Sequence, residues 1–391
     1  YVDCTGNPEA PGNVKLTIAS DVTVNAPDSY GVVIWGDGSE HTASASISGK
    51  VYAKSSALSG NGQGGGTEIV IEDGAVLESS ESAAIYHPQE GSLTIKGAKI
   101  KGQSGVELKA GTLKVISENA VIEATGEVKH EANGNGPSTS GYAVAVVENS
   151  AYAGSAKFET STGRYVGPIG ILSDNDVEAG KEGSIVVSGG IYSQPVAPEY
   201  CAAGYVPKAN DDGTYGVEKK ATFTLSGTVT FWNHLDNAAY RLYAINTAEE
   251  DIRADIRLET PTAGIAADAK GVVTPVEGSS PAQYSQSYTF TGLEAGSYKL
   301  AVYKPGHGVE IYTVTIRDNT RQDAVLYQLG DVNGDGAVDG MDAVTILRKV
   351  AALDVPVFIV SVADVNGDGA VGDGMDAVAI LRKVAGLDHW V

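Results

Sequence analysis

The residues best suited to chemistry stand near the C-terminal end of the chain. Asp331, Asn333, Asp335, Asp339 and Asp342 place oxygen side chains at positions 1, 3, 5, 9 and 12 of a short stretch, with Gly336 at position 6, where the backbone must turn sharply. Wrapping six or seven oxygens around one ion at about 2.3–2.6 Å is what Ca2+ demands, and the backbone carbonyl of Ala337 at position 7 adds to the set. The stretch closes on Asp342 where such loops usually carry Glu, and the shorter carboxylate closes it more tightly. A second stretch repeats the pattern with Asp364, Asn366, Asp368, Gly369 and Ala370, then carries one extra residue before Asp373 and Asp376. Either Gly372 takes up the insertion as a bulge and the ligands are kept, or the second site is distorted. The tolerance of glycine for unusual φ favours the bulge. The expected cofactor is two Ca2+ ions.

Elements must hold these loops in place. Ala343, Val344, Leu347 and Val350 form one apolar helical face after the first loop, and Ala377, Val378, Leu381 and Val384 repeat it after the second. The loops start 33 residues apart and are joined by residues 353–363. A unit of about 60 residues is small for a core of its own, so bound metal would supply folding free energy. This tandem resembles the type I dockerin, the calcium-dependent module that plugs into cohesin modules of cellulosome scaffolds. The resemblance rests on two loops, each followed by Gly-Met-Asp-Ala-Val-x-Ile-Leu-Arg-Lys-Val-Ala, and covers residues 329–391. It implies a scaffold cohesin as partner and a secreted protein, extracellular or associated with a cell surface. It implies cohesin contacts at Gly340, Met341, Leu347 and Arg348, and in the second copy at Gly374, Met375, Leu381 and Arg382. Many dockerins have Ser-Thr where this chain has Gly-Met, which leaves open which cohesin is recognised. The matching copies imply two binding orientations related by a half-turn. A calcium-stabilised domain with no cohesin partner is the alternative.

The N-terminal half reads differently. Leu16 and Ile18 precede Val22 and Val24, and comparable pairs recur at Ile69, Leu93, Leu113 and Ile185, separated by turns holding Asp21, Gly74, Gly97, Asn119 and Gly189. Leu93 and Leu113 lie 20 residues apart, and Ile69 and Leu93 lie 24 apart. A period of this size with up to three short strands is that of a parallel β-solenoid, whose rungs stack about 4.8 Å apart. The region resembles the right-handed parallel β-helix of bacterial surface and secreted proteins, with a sandwich of hairpins as the alternative. The stretches 59–66 and 132–141 read as protruding loops. A solenoid would hold Cys4 and Cys201 too far apart for a disulfide.

From residue 221 the alternation is that of antiparallel strands. The run from Tyr288 to Leu300, with Gly292 and Gly296 at its turn, resembles the carboxypeptidase-regulatory-like, transthyretin-like β-sandwich. The expected organisation is therefore multidomain and mainly β. It has a parallel β-helix over 1–200, a linker and turn segment over 201–220 with Asp212-Gly213 at a hairpin turn, an antiparallel sandwich over 221–328 and a small helical dockerin over 329–391.

Right-handed β-helices include polysaccharide lyases and glycoside hydrolases, so the first half needs a search for catalytic groups. Arg164 is its one arginine, and Asp174 and Asp176 form its nearest acidic pair. These three are the candidates, although an Asp-Asn-Asp turn is more often a solvated corner, and His41, His87 and His130 read as surface histidines. Tyr30, Trp35, Tyr86, Tyr142, Tyr165 and Tyr192 could form a stacking platform for sugars or belong to the core. With 27 Lys+Arg against 49 Asp+Glu, the net charge of −22 excludes nucleic acid as a partner. No apolar run is long enough to insert into a membrane. The functional expectation is a secreted cellulosome-type component that docks through its dockerin and presents a non-catalytic β-helix for glycan or surface adhesion. The alternative is a dockerin-borne lyase or hydrolase with its active site on the β-helix, acting in polysaccharide catabolism.

Overall fold

The computed structural model describes residues 2–3, 12–36, 41–60, 65–232, 237–257 and 264–387. It divides into two compact units, residues 1–220 and 221–391.

In the first unit three parallel sheets run the length of a β-helix, with seven strands in each of two sheets and seven parallel strands plus a terminal hairpin in the third. Each rung repeats the inward residues of the last. One column stacks Leu16, Ala45, Ile69, Leu93, Leu113, Phe158 and Ile185 in register across the second sheet. Another stacks Val24, Val51, Leu77, Ile100, Ile122, Tyr165 and Tyr192 across the third. These columns line one continuous apolar core. The parallel pairing excludes the sandwich of hairpins, because a rung buries its apolar face only against the next rung. Residues 201–220 carry strands Tyr205–Ala209 and Tyr215–Lys219, an antiparallel hairpin that joins the end of the third sheet through Tyr192 and Tyr215. Asp212 accepts from the Thr214 N–H in its turn, as its sequence suggests.

Tyr86, Tyr165 and Tyr192 are buried. Tyr165 and Tyr192 stack with ring centroids 4.8 Å apart, but inside the helix, so this ladder is core and offers no platform to a sugar. Tyr30 is exposed. Cys4, and with it the expectation about a bridge to Cys201, lies outside the described residues, as do 61–64 of the first protruding loop.

The second unit begins with two sheets sharing one core. The larger is built on Phe223–Trp232 and Gln283–Leu293, the smaller on Ala239–Ala244, Gly296–Tyr303 and Glu310–Ile316. Gly292, at φ +68°, lies in the irregular last stretch of Gln283–Leu293, just before the chain crosses from one sheet to the other. Two departures from the expected pattern occur. Ala324–Leu326 runs parallel to Phe223–Trp232, and a helix, Glu249–Arg257, interrupts the strands. That helix starts on Glu249, Glu250 and Asp251, which suit the positive end of its dipole, and packs Ile252 against Tyr243 and Ala301. Helices Gly340–Val350 and Gly374–Val384 close the unit around Val332, Ala343, Ile346, Val362, Ala377 and Ile380.

Candidate functional site

The two acidic loops fold as near copies. In the first, Gly336 at φ +87° lets its N–H donate to Asp331 Oδ2 (2.9 Å). Asn333 Oδ1 accepts from the Asp335 N–H, and Asp335 Oδ1 from the Ala337 N–H, each at 2.9 Å. Asp339 caps the following helix, accepting from the Met341 N–H at 2.7 Å, while Asp342 reaches back to the N–H groups of Asp339 and Asn333. The second loop repeats every feature: Gly369 N–H to Asp364, Asp368 to Asn366, Ala370 to Asp368, Met375 to Asp373, and Asp373 to Asp376. The extra residue is taken up at Gly372, at φ +67°, where a Cβ would meet the Phe358 ring at 2.6 Å. Beyond it Asp373 and Asp376 regain the geometry of Asp339 and Asp342 through the same capping box.

These loops fit a hard divalent cation. Asp331 Oδ1 and Asp364 Oδ1 are buried with no hydrogen-bond partner, although each carboxylate's other oxygen is bonded. A buried acceptor left unmatched is costly, and a cation is the partner that a ring of carboxylates invites. Burial, and then the facing charge of Asp342, push the Asp331 carboxyl up to about 7. Asp342 is raised for the same first reason, with Asp335 and Asp339 adding to it. Among the described residues no three His, Cys, Asp or Glu side chains converge by themselves on a ligating centre. The oxygen set of this spacing also draws on Asn333, Asn366 and the carbonyls of Ala337 and Ala370.

The residues expected to read a cohesin sit on the helices that the loops launch. Met341 and Leu347 are exposed on the first, Met375 and Leu381 on the second. Gly340 and Gly374 are the first residues of their helices, with open space where a Cβ would project. Arg348 turns to the helix end and donates to the Asp354 carbonyl, and Arg382 occupies the corresponding place on the second helix.

The candidate catalytic residues do not meet. Arg164 is exposed on the third sheet, and Asp176 is exposed with its carbonyl accepting from Ser150. Asp174 is no solvated corner: its side chain is fully buried and accepts from Lys109 Nζ, His130 Nε2 (2.9 Å) and Asn149 Nδ2 (3.0 Å). Burial alone would raise its pKa, but the bonds from Lys109 and His130 outweigh that and hold it below the usual carboxylate range. Lys109, also fully buried, lies 3.5 Å from Glu107, whose carboxylate takes the N–H and hydroxyl groups of Ser138 and Thr139. Its ammonium stands over the rings of Tyr86 and Tyr152.

Sequence reasoning missed this cluster. Glu107 alternates with inward-facing Val106 and Leu108, so it points outward, where an exposed residue is the default expectation. The outer face of the first sheet is instead covered by the arm around residues 129–141, which bonds Glu107 and places the Gly136 carbonyl on Lys109. His130 belongs to the cluster, and His87 is buried, with burial lowering its imidazole to about 4, so neither is a surface histidine.

Residues 329–385 match the family model described as the dockerin type I domain. No curated protein matches the chain. The chain therefore carries a type I dockerin domain, a calcium-binding module whose partner is a cohesin and which occurs in secreted cellulosome components. No described helix is long and apolar enough to cross a membrane.

Proposed function

We propose that this chain is a docking component that attaches to a scaffold cohesin through its C-terminal helix pair, stiffened by two Ca2+ ions, and carries the β-helix as an adhesive, non-catalytic module. One observation carries the docking reading. Met341, Val344, Leu347 and Val350 on one helix, and Met375, Val378, Leu381 and Val384 on the other, are 44–60% exposed. Two matched apolar rows held out to water mark a protein-binding surface.

In the first loop the ligands are Asp331, Asn333, Asp335, Asp339, Asp342 and the Ala337 carbonyl. In the second they are Asp364, Asn366, Asp368, Asp373, Asp376 and the Ala370 carbonyl. Bound calcium supplies the positive charge that these crowded carboxylates lack. The chain's own contribution is to fix the start of each helix. Asp339 and Asp373 cap it, while Asp342 and Asp376 hold the loop backbone against it, so the orientation of Met341, Leu347, Met375 and Leu381 follows from the state of the loop. Arg348 and Arg382, near the far ends, add charge to the rim of the surface. A pull-down against a panel of cohesins, with calcium and with EDTA, tests the reading. Capture in calcium only is expected, and tight capture in chelator overturns it.

For the β-helix, the non-catalytic reading is supported by the cover over Glu107, Lys109 and Asp174, which are engaged with one another and closed to a substrate. A cleft of about 430 Å3 between the rung turns and the 129–140 arm, lined by Ser80, Glu81, Gln103, Lys129 and Glu131, offers hydroxyl, amide and carboxylate groups suited to a sugar. Retention on insoluble glycan without release of sugar is the expected result. Release of product from pectin or another plant polysaccharide, lost in Asp174→Ala or Asp176→Ala, would instead make the chain a lyase or hydrolase.

A further inference from the structure

The two calcium loops match in sequence but not in surroundings. The wrapping turn of the first is packed against the β-sandwich. A Cβ added at Gly336 would lie 2.5 Å from Trp232 Nε1 and 2.7 Å from Pro281 Cγ, and one at Gly334 would lie 3.2 Å from the Tyr327 ring. Trp232 is buried at the end of its strand and stacks on Tyr327 with centroids 5.2 Å apart and planes at 19°. The backbone entering the loop is clamped as well: the Tyr327 carbonyl accepts from Gly308 N–H (3.0 Å), and Leu329 N–H donates to Gly306 (2.9 Å). In the second loop the equivalent glycines, Gly367 and Gly369, have open space where a Cβ would project. Ser361 ties the entry of that loop to Glu310, but its wrapping turn touches nothing comparable. Asp331 is fully buried, whereas Asp364 is half-buried.

We propose that Trp232, stacked on Tyr327 and set beside Gly336, is a positioning residue for the first calcium site. The sandwich holds the Gly336 turn in its ion-wrapping shape, so that calcium at this loop and folding of the sandwich stabilise each other, while the second loop takes its ion independently. The proposal rests on the reading that both loops bind calcium. Its physical basis is preorganisation. Rigidity of the loop is one of the terms that sets calcium affinity, and a turn already held by an aromatic wall loses less freedom on binding. Coupling between two sites is reciprocal, so whatever the wall adds to ion affinity the ion must return to the wall.

The experiment uses the full chain in two backgrounds, Asp364→Ala to leave the first loop titratable and Asp331→Ala to leave the second, with calcium uptake followed by calorimetry. Trp232→Ala is expected to weaken uptake tenfold or more in the first background and to change it less than twofold in the second. Trp232→Phe, which keeps the aromatic wall, restores the first loop to within threefold. Equal losses in both backgrounds, or no loss in either, overturn the proposal. Thermal melting supplies the reverse reading and does not depend on whether Trp232→Ala folds. With Trp35 and Trp390 replaced by Phe, the Trp232 emission reports on the sandwich. Calcium raises its midpoint when Asp331 is intact and leaves it unmoved in Asp331→Ala; a rise that survives Asp331→Ala, or no rise at all, overturns the coupling. Absence of calcium uptake by the otherwise unaltered chain defeats the docking reading and this inference with it, whereas uptake by both loops without the split defeats the inference alone.

Discussion

Two parts of this molecule bury carboxylates, and they meet the cost in opposite ways. In the β-helix, Glu107 and Asp174 both lie against Lys109, with His130 and Asn149 also donating to Asp174, and Ser138 and Thr139 to Glu107. The chain supplies its own countercharge, and Asp174 is held below the ordinary carboxylate range. In the tail, Asp331 and Asp342 are equally buried, among other acids and with backbone amides donating to them, and burial pushes Asp331 up to about 7. A buried charge needs a partner. Where the partner is a lysine, the structure is complete in itself; where it is absent, the structure is built to receive one from solution. The first centre reads as a fastening, the second as a site.

Removing the external partner should break the comparison most severely. In EDTA the tail is expected to lose its helix pair and all cohesin binding, because the core around Val332, Ile346, Val362 and Ile380 is small and the metal supplies folding free energy, while the β-helix is unaffected. Circular dichroism and a cohesin binding assay in chelator check this, and a tail that stays folded and binds would dissolve the contrast. Removing the internal partner comes next. Lys109→Met leaves two carboxylates facing each other in the interior, and breaking a buried pair from one side costs about 3–5 kcal/mol. Chemical denaturation of the full chain should register that loss in the β-helix transition with calcium uptake unchanged. A loss under ~1 kcal/mol would mean that water reaches the cluster.

Acid sharpens the comparison at a smaller scale. Asp174 has a folded pKa below its unfolded one, so its contribution to stability is complete above the unfolded value of about 3.9 and is lost as pH falls through the folded value. The β-helix should therefore lose stability below about pH 4, and Asp174→Asn should flatten that part of the profile. An unchanged slope in Asp174→Asn would place the acid sensitivity elsewhere.

What could be read from the sequence follows how local each constraint is. The shape of the acidic loops was legible because their oxygen spacing is set within twelve residues, and the bulge at Gly372 because only the extra residue had to be placed. The rungs were legible because Leu93 and Leu113 repeat at the distance one turn of a solenoid requires. The Lys109 cluster was not, because Glu107, His130 and Asp174 come together only once the rungs stack and the 129–141 arm closes over them. Strand alternation puts Glu107 on the outer face but cannot say that the outside is covered. The helix Glu249–Arg257 escaped for a related reason: it is short and mostly charged, and among its described side chains Ile252 is the fully buried apolar anchor. Trp232 and Gly336 are about a hundred residues apart, and nothing local links an aromatic at a strand end to a glycine in an acidic loop.

The smallest effect bears on the duplication inside the tail. The helices Gly340–Val350 and Gly374–Val384 expose equivalent residues to similar degrees, Leu347 at 47% and Leu381 at 46%. If a cohesin can be read by either copy after a half-turn, disabling one copy removes half of the productive orientations and leaves the other intact. Leu381→Asp alone should then weaken binding only about twofold, a change of ~0.4 kcal/mol, and Leu347→Asp alone should do the same. The double variant removes both anchors, and an apolar anchor replaced by a buried charge is costly at any interface, so binding falls at least a hundredfold. Titration calorimetry with calcium saturating distinguishes this from a single fixed orientation, in which one of the two single variants would already lose nearly all binding and the other almost none. That second outcome would mean that the surroundings of the first loop, packed on Trp232, extend their asymmetry to the docking surface itself.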